Sequence, residues 1–406
     1  MMKCHTLAPL QLLLVFTFAA VGANYVSTAS GFKGFFQRGS VQCSDATYPP
    51  PASMNVPKFV IDLDLPLEER WKEVISAKFN EILELRRALA RLLDSVSGGL
   101  LMSLIDDYGP KLLATLPSPY KEELTEIAKL SKMPLGEVVL YNVFYEFFTV
   151  CTSIVAENEK GEILHGRNMD FGLFLGWNKT ASTWSMTQVL RKSVVELEWR
   201  RGNKTVFHSV NFAGYIGILT GYSPGLMSFT INERFNINGG FIGLFEWLIL
   251  GNRDLKWVGF LGRDVFEKEL SFDQATKMLA TAKLIAPAYF IVGGTKLGEG
   301  VVITKARGST KANLSTMKNN RHANWYVLQT NYDNWKEPPF FDDRRTPGHV
   351  CMHQVGQKNI SFETLFKVLS TQPVLNKLTA YTTLMNINEG RMETYLQRCV
   401  GDCSPW

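Results

Sequence analysis

Histidine is scarce in this 406-residue chain, six in all, and none stands in an HExxH pattern or a dense His/Asp cluster, nor does any CxxC occur. A catalytic metal therefore has no support in the sequence, and a cysteine–histidine dyad has little. His165 is the histidine nearest to Cys151, yet a lone histidine is most often a structural hydrogen-bonder. Basic runs are missing as well. The formal charge of +5 comes from scattered lysine and arginine, which argues against a nucleic-acid partner and leaves attraction to anionic lipid or simple solubility. After the first two dozen residues no apolar stretch suits a bilayer span: 138–155 is interrupted by Asn142 and Glu146, and 239–250 is too short. Repeats and low-complexity tracts are absent, and a chain that is 46% hydrophobic and 20% charged can bury a large core.

The N-terminus carries Met1-Met2-Lys3, an apolar run from Leu7 to Val21 and the small-residue ending Val21-Gly22-Ala23, the pattern of a secretory leader over residues 1–23. Asn178, Asn203, Asn313 and Asn359 head N-x-Ser/Thr sequons, plausible glycan sites in a secreted chain. Loss of Cys4 with the leader leaves Cys43, Cys151, Cys351, Cys399 and Cys403, an odd number in an oxidising compartment. Cys399 and Cys403 are spaced for a small local ring, after which Cys43 and Cys351 remain as a long-range pair and Cys151 as the free thiol. Parity does not choose the free residue, but a thiol near Arg167 is a better nucleophile candidate than one in a glycine-rich tail.

Before Cys151 the sequence reads as mostly helical. Apolar residues recur at helical spacing over 67–93, and further helices are expected over 100–105, 120–130 and 135–148, broken near prolines. After it, strands dominate. Thr152–Ala156 and Glu162–Gly166 read as a hairpin turning over 158–161, with Arg167 and Asp170 at its far end flanking the thiol. A second hairpin turns at Gly202-Asn203, and strand-like runs cover 225–232, 288–292, 300–304, 325–329 and 380–386. Helices are expected over 257–269, over 272–284 behind a Ser271…Gln274 capping pair, and over 362–369 after Ser361. The pattern is α+β, with one boundary near Cys151.

Without a histidine the thiol needs another base. A cut before Cys151 would supply one, the new α-amino group, whose ordinary pKa of about 8 suits proton transfer near neutrality. Arg167 would favour the thiolate and Asp170 would hold the amine. Asn331 and Asn232 each follow a strand-like run and could donate to an oxyanion, though either alone reads as a turn residue. The segment 241–250, apolar with a single charge, reads first as a buried helix; the other reading places Trp247 at a lipid-facing channel mouth.

Taken together, Cys151–Ala156, His165–Gly172, Asn232–Phe235, Ile237–Gly240, Gln329–Asp333 and Asp342–Pro347 resemble the acid ceramidase family, from the Cys43 region to the C-terminal Cys-x-x-x-Cys. The family lies within the choloylglycine-hydrolase-like N-terminal-nucleophile hydrolases. The cysteine with Arg-Asn-Met-Asp is shared more widely, with N-acylethanolamine acid amidases and more remotely with bile-salt and penicillin V acylases. The resemblance implies an αββα sandwich made as a lysosomal precursor, some of it secreted, that cuts itself between Val150 and Cys151. A helical α chain, 24–150, would stay disulfide-linked to a catalytic β chain, 151–406. It implies hydrolysis of N-acylsphingosine to sphingosine and fatty acid through a Cys151 thioester. Arg167 and Asp170 would tune the nucleophile, Asn331 would support the oxyanion, and Glu233 and Arg344 would be neighbouring site residues. No cofactor or metal is implied; a saposin-type activator and anionic lysosomal lipid are. Two other readings compete: an amidase preferring N-acylethanolamines, and a non-catalytic lipid-binding glycoprotein.

Overall fold

A computed structural model describes residues 41–97, 100–143, 149–171, 177–178, 180–235, 239–248, 250–401 and 403. The expected leader lies outside the described residues. The strands are β1 (Lys58–Asp62), β2 (Thr149–Glu157), β3 (Ile163–Phe171), β4 (Trp177–Asn178), β5 (Thr183–Trp184), β6 (Val194–Arg201), β7 (Lys204–Phe212), β8 (Thr220–Ser223), β9 (Met227–Glu233), β10 (Ala288–Gly293), β11 (Gly300–Lys305), β12 (Ala312–Thr316), β13 (Tyr326–Gln329), β14 (Thr379–Asn386) and β15 (Arg391–Tyr395). Eight of them form one sheet in the order β1-β6-β7-β8-β9-β10-β11-β12, and five form a second, β13-β2-β3-β14-β15. The short β4–β5 pair stands apart.

The two sheets stack through Val155, Ile163, Tyr289, Ile291, Val302 and Val327, all fully or nearly fully buried. Alternation along each strand sends the intervening residues outward to helices. Leu365, Phe366 and Leu369 of the Phe362–Leu369 helix cover Ile154, Leu164 and Leu384 on one side. On the other, Phe266 of the Val258–Glu267 helix packs on Phe207 and Phe229. The result is the expected four-layer sandwich. Capping boxes at Ser271/Gln274 and Ser361/Thr364 start two of the helices where the sequence places them. Gly202 and Asn203 both take positive φ, 55° and 60°, as a tight hairpin turn with right-handed strand twist requires.

Three differences from the sequence reading position the site. Of the helix expected over 135–148, Leu135–Val143 falls among the described residues, and the strand expected from Thr152 starts already at Thr149, so the Val150–Cys151 peptide lies within a strand. Arg167 and Asp170 correspondingly lie inside β3, not beyond it, because cross-strand pairing continues through Cys151↔Met169 to Thr149↔Phe171. The N-terminal part, secondly, is not only helical: β1 pairs in parallel with β6, from Lys58↔Glu196 to Asp62↔Arg200, and Leu396 donates its N–H to the Met54 carbonyl at 2.7 Å. Thirdly, helices at Ser185–Ser193 and Arg345–Val355 have no counterpart in the sequence reading. Pro347 sits in the first turn of the latter, where a helix needs no N–H partner.

Disulfides join Cys43 to Cys351 and Cys399 to Cys403, and Cys151 is free and buried. Among the described residues no helix is long and apolar enough to cross a membrane.

Candidate active site

Register decides which side chains meet the thiol. Cys151 lies opposite Met169 in the β2–β3 pair, so Cys151, Arg167 and Met169 share the face that looks into the gap between the sheets. Val150, Thr152, Asn168 and Asp170 share the other face, where Asn168 donates to the carbonyls of Leu369 and Val374.

On the inner face Arg167 Nη2 donates to Cys151 Sγ at 2.8 Å, and the sulfur lies 3.7 Å from Met169 Sδ. The guanidinium is fixed by the eight-stranded sheet: it donates to the carbonyls of Leu219 at 2.6 Å and Ile231 at 2.9 Å and to Thr220 Oγ1, which in turn meets the Tyr381 hydroxyl at 2.9 Å. Burial pushes the Cys151 thiol above its ordinary pKa, and Arg167 works against that shift. The cation is thus placed to favour the thiolate form of this buried sulfur.

The backbone around the thiol is held differently. β13 ends at Gln329, opposite Ser153, so the β2 edge before Ser153 has no strand partner. Side chains replace the missing ladder. Glu233 Oε2 accepts from Thr149 N at 2.6 Å, Asn331 Nδ2 donates to Thr149 O at 3.2 Å, and Asn331 Oδ1 accepts from Cys151 N at 2.8 Å. Arg344 Nη1 donates to Cys151 O at 2.5 Å, and its Nη2 to Asn331 Oδ1 at 2.8 Å. The peptide joining Val150 to Cys151 is bracketed on both sides by these three residues.

Arg344 is also paired with Asp342 at 2.6 Å and lies 3.5 Å from Asp170. Burial opposes its charge, but Asp342 and Asp170 hold its pKa above the ordinary value. Asp170 accepts from Thr379 Oγ1 at 2.6 Å and Asn376 Nδ2 at 3.1 Å; burial nevertheless raises it to about 6, against the pull of Arg344. Glu233 is raised to about 8 by burial, its bond to Thr149 offsetting only part.

All six expected residues therefore converge on one short stretch of β2, in roles that differ in detail. Asp170 does not flank the thiol: it lies on the opposite face and reaches the Cys151 backbone through Arg344. The acceptor for the Cys151 nitrogen is Asn331. Asn232 is turned away, donating to the carbonyls of Gln329 and Thr330 and accepting from Ser153 Oγ. His165 bonds Ser228 and Thr230 at 2.9 and 3.0 Å, and burial with Arg167 pushes it down to about 3, which leaves it neutral and structural. Trp247 follows the first reading, that of a buried helix, and not the lipid-facing one: its indole donates to Thr115 Oγ1 at 2.7 Å and packs edge-on against Trp257. Among the described residues of that stretch, Ile242, Phe245 and Leu250 are exposed. Asp342 is not among the expected site residues although it opens the Asp342–Pro347 block two positions before Arg344; Thr220, Asn376, Thr379 and Tyr381 carry no local signal. Among the described residues no group of three or more His, Cys, Asp or Glu is placed to hold a metal ion.

Two protein families and several known proteins match this chain. Residues 54–116 match the family of the beta subunit of N-acylethanolamine-hydrolyzing acid amidase, and residues 151–349 match the linear amide C–N hydrolases of the choloylglycine hydrolase family. The chain is 48% identical to acid ceramidase from Homo sapiens over 369 residues, 90% of this chain and 92% of that one. It is 47% identical to acid ceramidase from Mus musculus, with 90% and 93% covered. The structure of the Caenorhabditis elegans N-acylethanolamine-hydrolyzing acid amidase ortholog aligns with a TM-score of 0.51 at 33% identity, over 61% of this chain and 100% of that one.

Proposed function

The chain belongs to the acid ceramidase family, and from that membership we propose that it is a lysosomal amidase hydrolysing ceramide to sphingosine and free fatty acid, with Cys151 as nucleophile. The observation that carries the assignment of the nucleophile is the bracket around Val150–Cys151 with Arg167 on the sulfur.

The same groups serve maturation and turnover. Cys151 Sγ attacks the Val150 carbonyl carbon; a C–S bond forms, the C–N bond breaks, and the nitrogen takes up the thiol proton. Water then adds hydroxyl to the acyl carbon and a proton to sulfur, leaving Val150 as a carboxylate and Cys151 as an N-terminal amine. Departure of Thr149 from the site releases both Asn331 Nδ2 and Glu233 from their bonds to that residue. The freed amide donor then serves the oxyanion of an incoming acyl amide. The Cys151 nitrogen keeps Asn331 Oδ1 as its acceptor and acts as base, giving its proton to the departing sphingosine amine and activating the water that cleaves the thioester. Arg344 fixes Asn331, and Asp170 with Asp342 fixes Arg344.

Ceramide is embedded in membrane, so turnover on vesicles depends on a saposin-type activator and anionic lipid, with Ile242, Phe245 and Leu250 among the exposed apolar residues that could meet the surface. After the cut, residues 24–150 and 151–406 remain joined through Cys43–Cys351. Intact mass of the purified protein tests the nucleophile: a chain beginning at Cys151 is expected, and an uncut or differently cut active protein would refute it. The 54–116 match keeps an N-acylethanolamine preference in view. Ceramide and an N-acylethanolamine of the same acyl chain, compared at acidic pH, separate the two; faster turnover of the latter reassigns the amine side, and no turnover of either leaves the lipid-binding reading.

A further inference from the structure

Away from the thiol, a cavity of about 410 Å³ opens where β12, the last strand of the larger sheet, comes up against β13, the first of the smaller. Both are terminal strands, and an uncovered edge invites pairing with another chain. The opposite flank of the sandwich is closed by the protein itself, through the Asn55↔Tyr395 bridge and β1. This flank is not.

The sequon Asn313-Leu314-Ser315 lies on β12. Pairing of Asn313 with Thr304 and of Ser315 with Val302 puts both on the face of Val302, which packs with Val327 of β13 between the sheets. Asn313 is exposed and lines the cavity. Facing it are Trp335, 44% exposed, Asn334, Arg321 and Arg345, with His322 stacked on His349 at 3.6 Å at the back. The lining is rich in planar donors, contains one open indole and has no carboxylate. Amides, guanidinium groups and imidazoles suit the paired hydroxyls of a sugar, and an indole suits its C–H face.

We propose that this cavity is the seat of the N-linked glycan on Asn313, whose first sugars lie along Trp335 and cover the open edges of β12 and β13. The proposal rests on the passage of the chain through the secretory pathway, where the Asn313 amide nitrogen attacks the anomeric carbon of a lipid-diphosphate-linked oligosaccharide. The C–N bond forms as the sugar–phosphate C–O bond breaks, and the lipid diphosphate and one amide proton leave. Asn203 provides an internal contrast. It is exposed in the β6–β7 turn beside Gly202, where an added Cβ would meet nothing within 4 Å, so a glycan there points into open space.

The test uses the full chain from a secreting host. Site-resolved mass spectrometry should find Asn313 occupied. In native protein a glycan-releasing amidase should free the Asn313 glycan about tenfold more slowly than in denatured protein, and more slowly than the Asn203 glycan, because release requires local opening. Trp335→Ala and, separately, Arg321→Ala should abolish that protection while ceramide hydrolysis, which uses neither residue, reports an intact fold. An unoccupied Asn313, equal release from native and denatured protein, or protection that survives both substitutions overturns the proposal. The first outcome leaves the amidase reading untouched, and loss of amidase activity in the parent protein leaves the glycan result standing.

Discussion

Two buried carboxylates in this molecule each face a buried arginine, and they end in opposite states. Glu123, on the Tyr120–Ser131 helix of the N-terminal part, receives Arg263 on both oxygens at 2.6 and 2.7 Å, with Arg70 at 3.1 Å and the Trp71 indole at 2.8 Å added. Burial alone would raise its pKa, yet Arg263 holds it below the ordinary range. Asp170 faces Arg344 at 3.5 Å only, shares that cation with Asp342, and is otherwise met by neutral donors. Burial wins there, and the group rises to about 6. A two-pronged pair with every lone pair used locks one helix to another; a stretched, shared pair leaves protons able to move. The first cluster fastens the N-terminal helices to the sandwich, and the second braces the backbone of Cys151.

Substitutions sharpen that contrast. The largest effect belongs to Cys151→Ala, which should leave a single chain on a reducing gel and no amidase activity, since in the proposed mechanism one sulfur performs both attacks; normal two-chain processing would place the cutting with another protease. Arg167→Gln should next lower kcat/KM by roughly 10²–10³-fold with secretion retained, the loss typical of a preorganised charge donor, and unchanged kinetics would remove it from the site. Arg263→Leu should do the reverse. Stranding Glu123 with only Arg70 should cost about 3–5 kcal/mol in denaturant unfolding while the folded fraction keeps its kcat, and a kcat defect at full stability would erase the distinction between the clusters. The smallest effect concerns pH. Glu233 keeps its proton in the folded chain up to about 8, whereas an unfolded glutamate loses it near the ordinary value of 4.5, so this group weakens the fold progressively as pH rises between those limits. In uncut protein Glu233→Gln should flatten the fall in Tm across that window; an unaltered slope would mean the carboxyl is ionised.

Local pattern carried much of this structure. The β2–β3 and β6–β7 hairpins, both capping boxes and the short strands from Ala288 to Lys305 follow from alternation and turn residues, and hairpin adjacency alone put Arg167 beside Cys151. What was not legible is non-local. β1 is five residues long, follows a proline-rich loop and finds its partner in β6 some 130 residues on, so nothing nearby marks it as a strand. Glu233 and Arg344 were legible only through family resemblance, because their place depends on where β13 stops and exposes the edge of β2. The Glu123–Arg263 pair bridges 140 positions and looks, in sequence, like two ordinary charges on helix faces.

The parallel pairing of β1 with β6 changes what a cut before Cys151 amounts to. Residues 58–62 are a rung of the β chain's own sheet, with Ile61 fully buried in its core. Severing the backbone before Cys151 creates two new ends without creating two separable bodies: even with Cys43–Cys351 reduced, the shorter piece can depart only by unzipping a strand and baring the hydrophobic layer beneath it. The mature protein would then behave as a split protein whose halves were never apart, melting in one transition and failing to reassemble from fragments made separately.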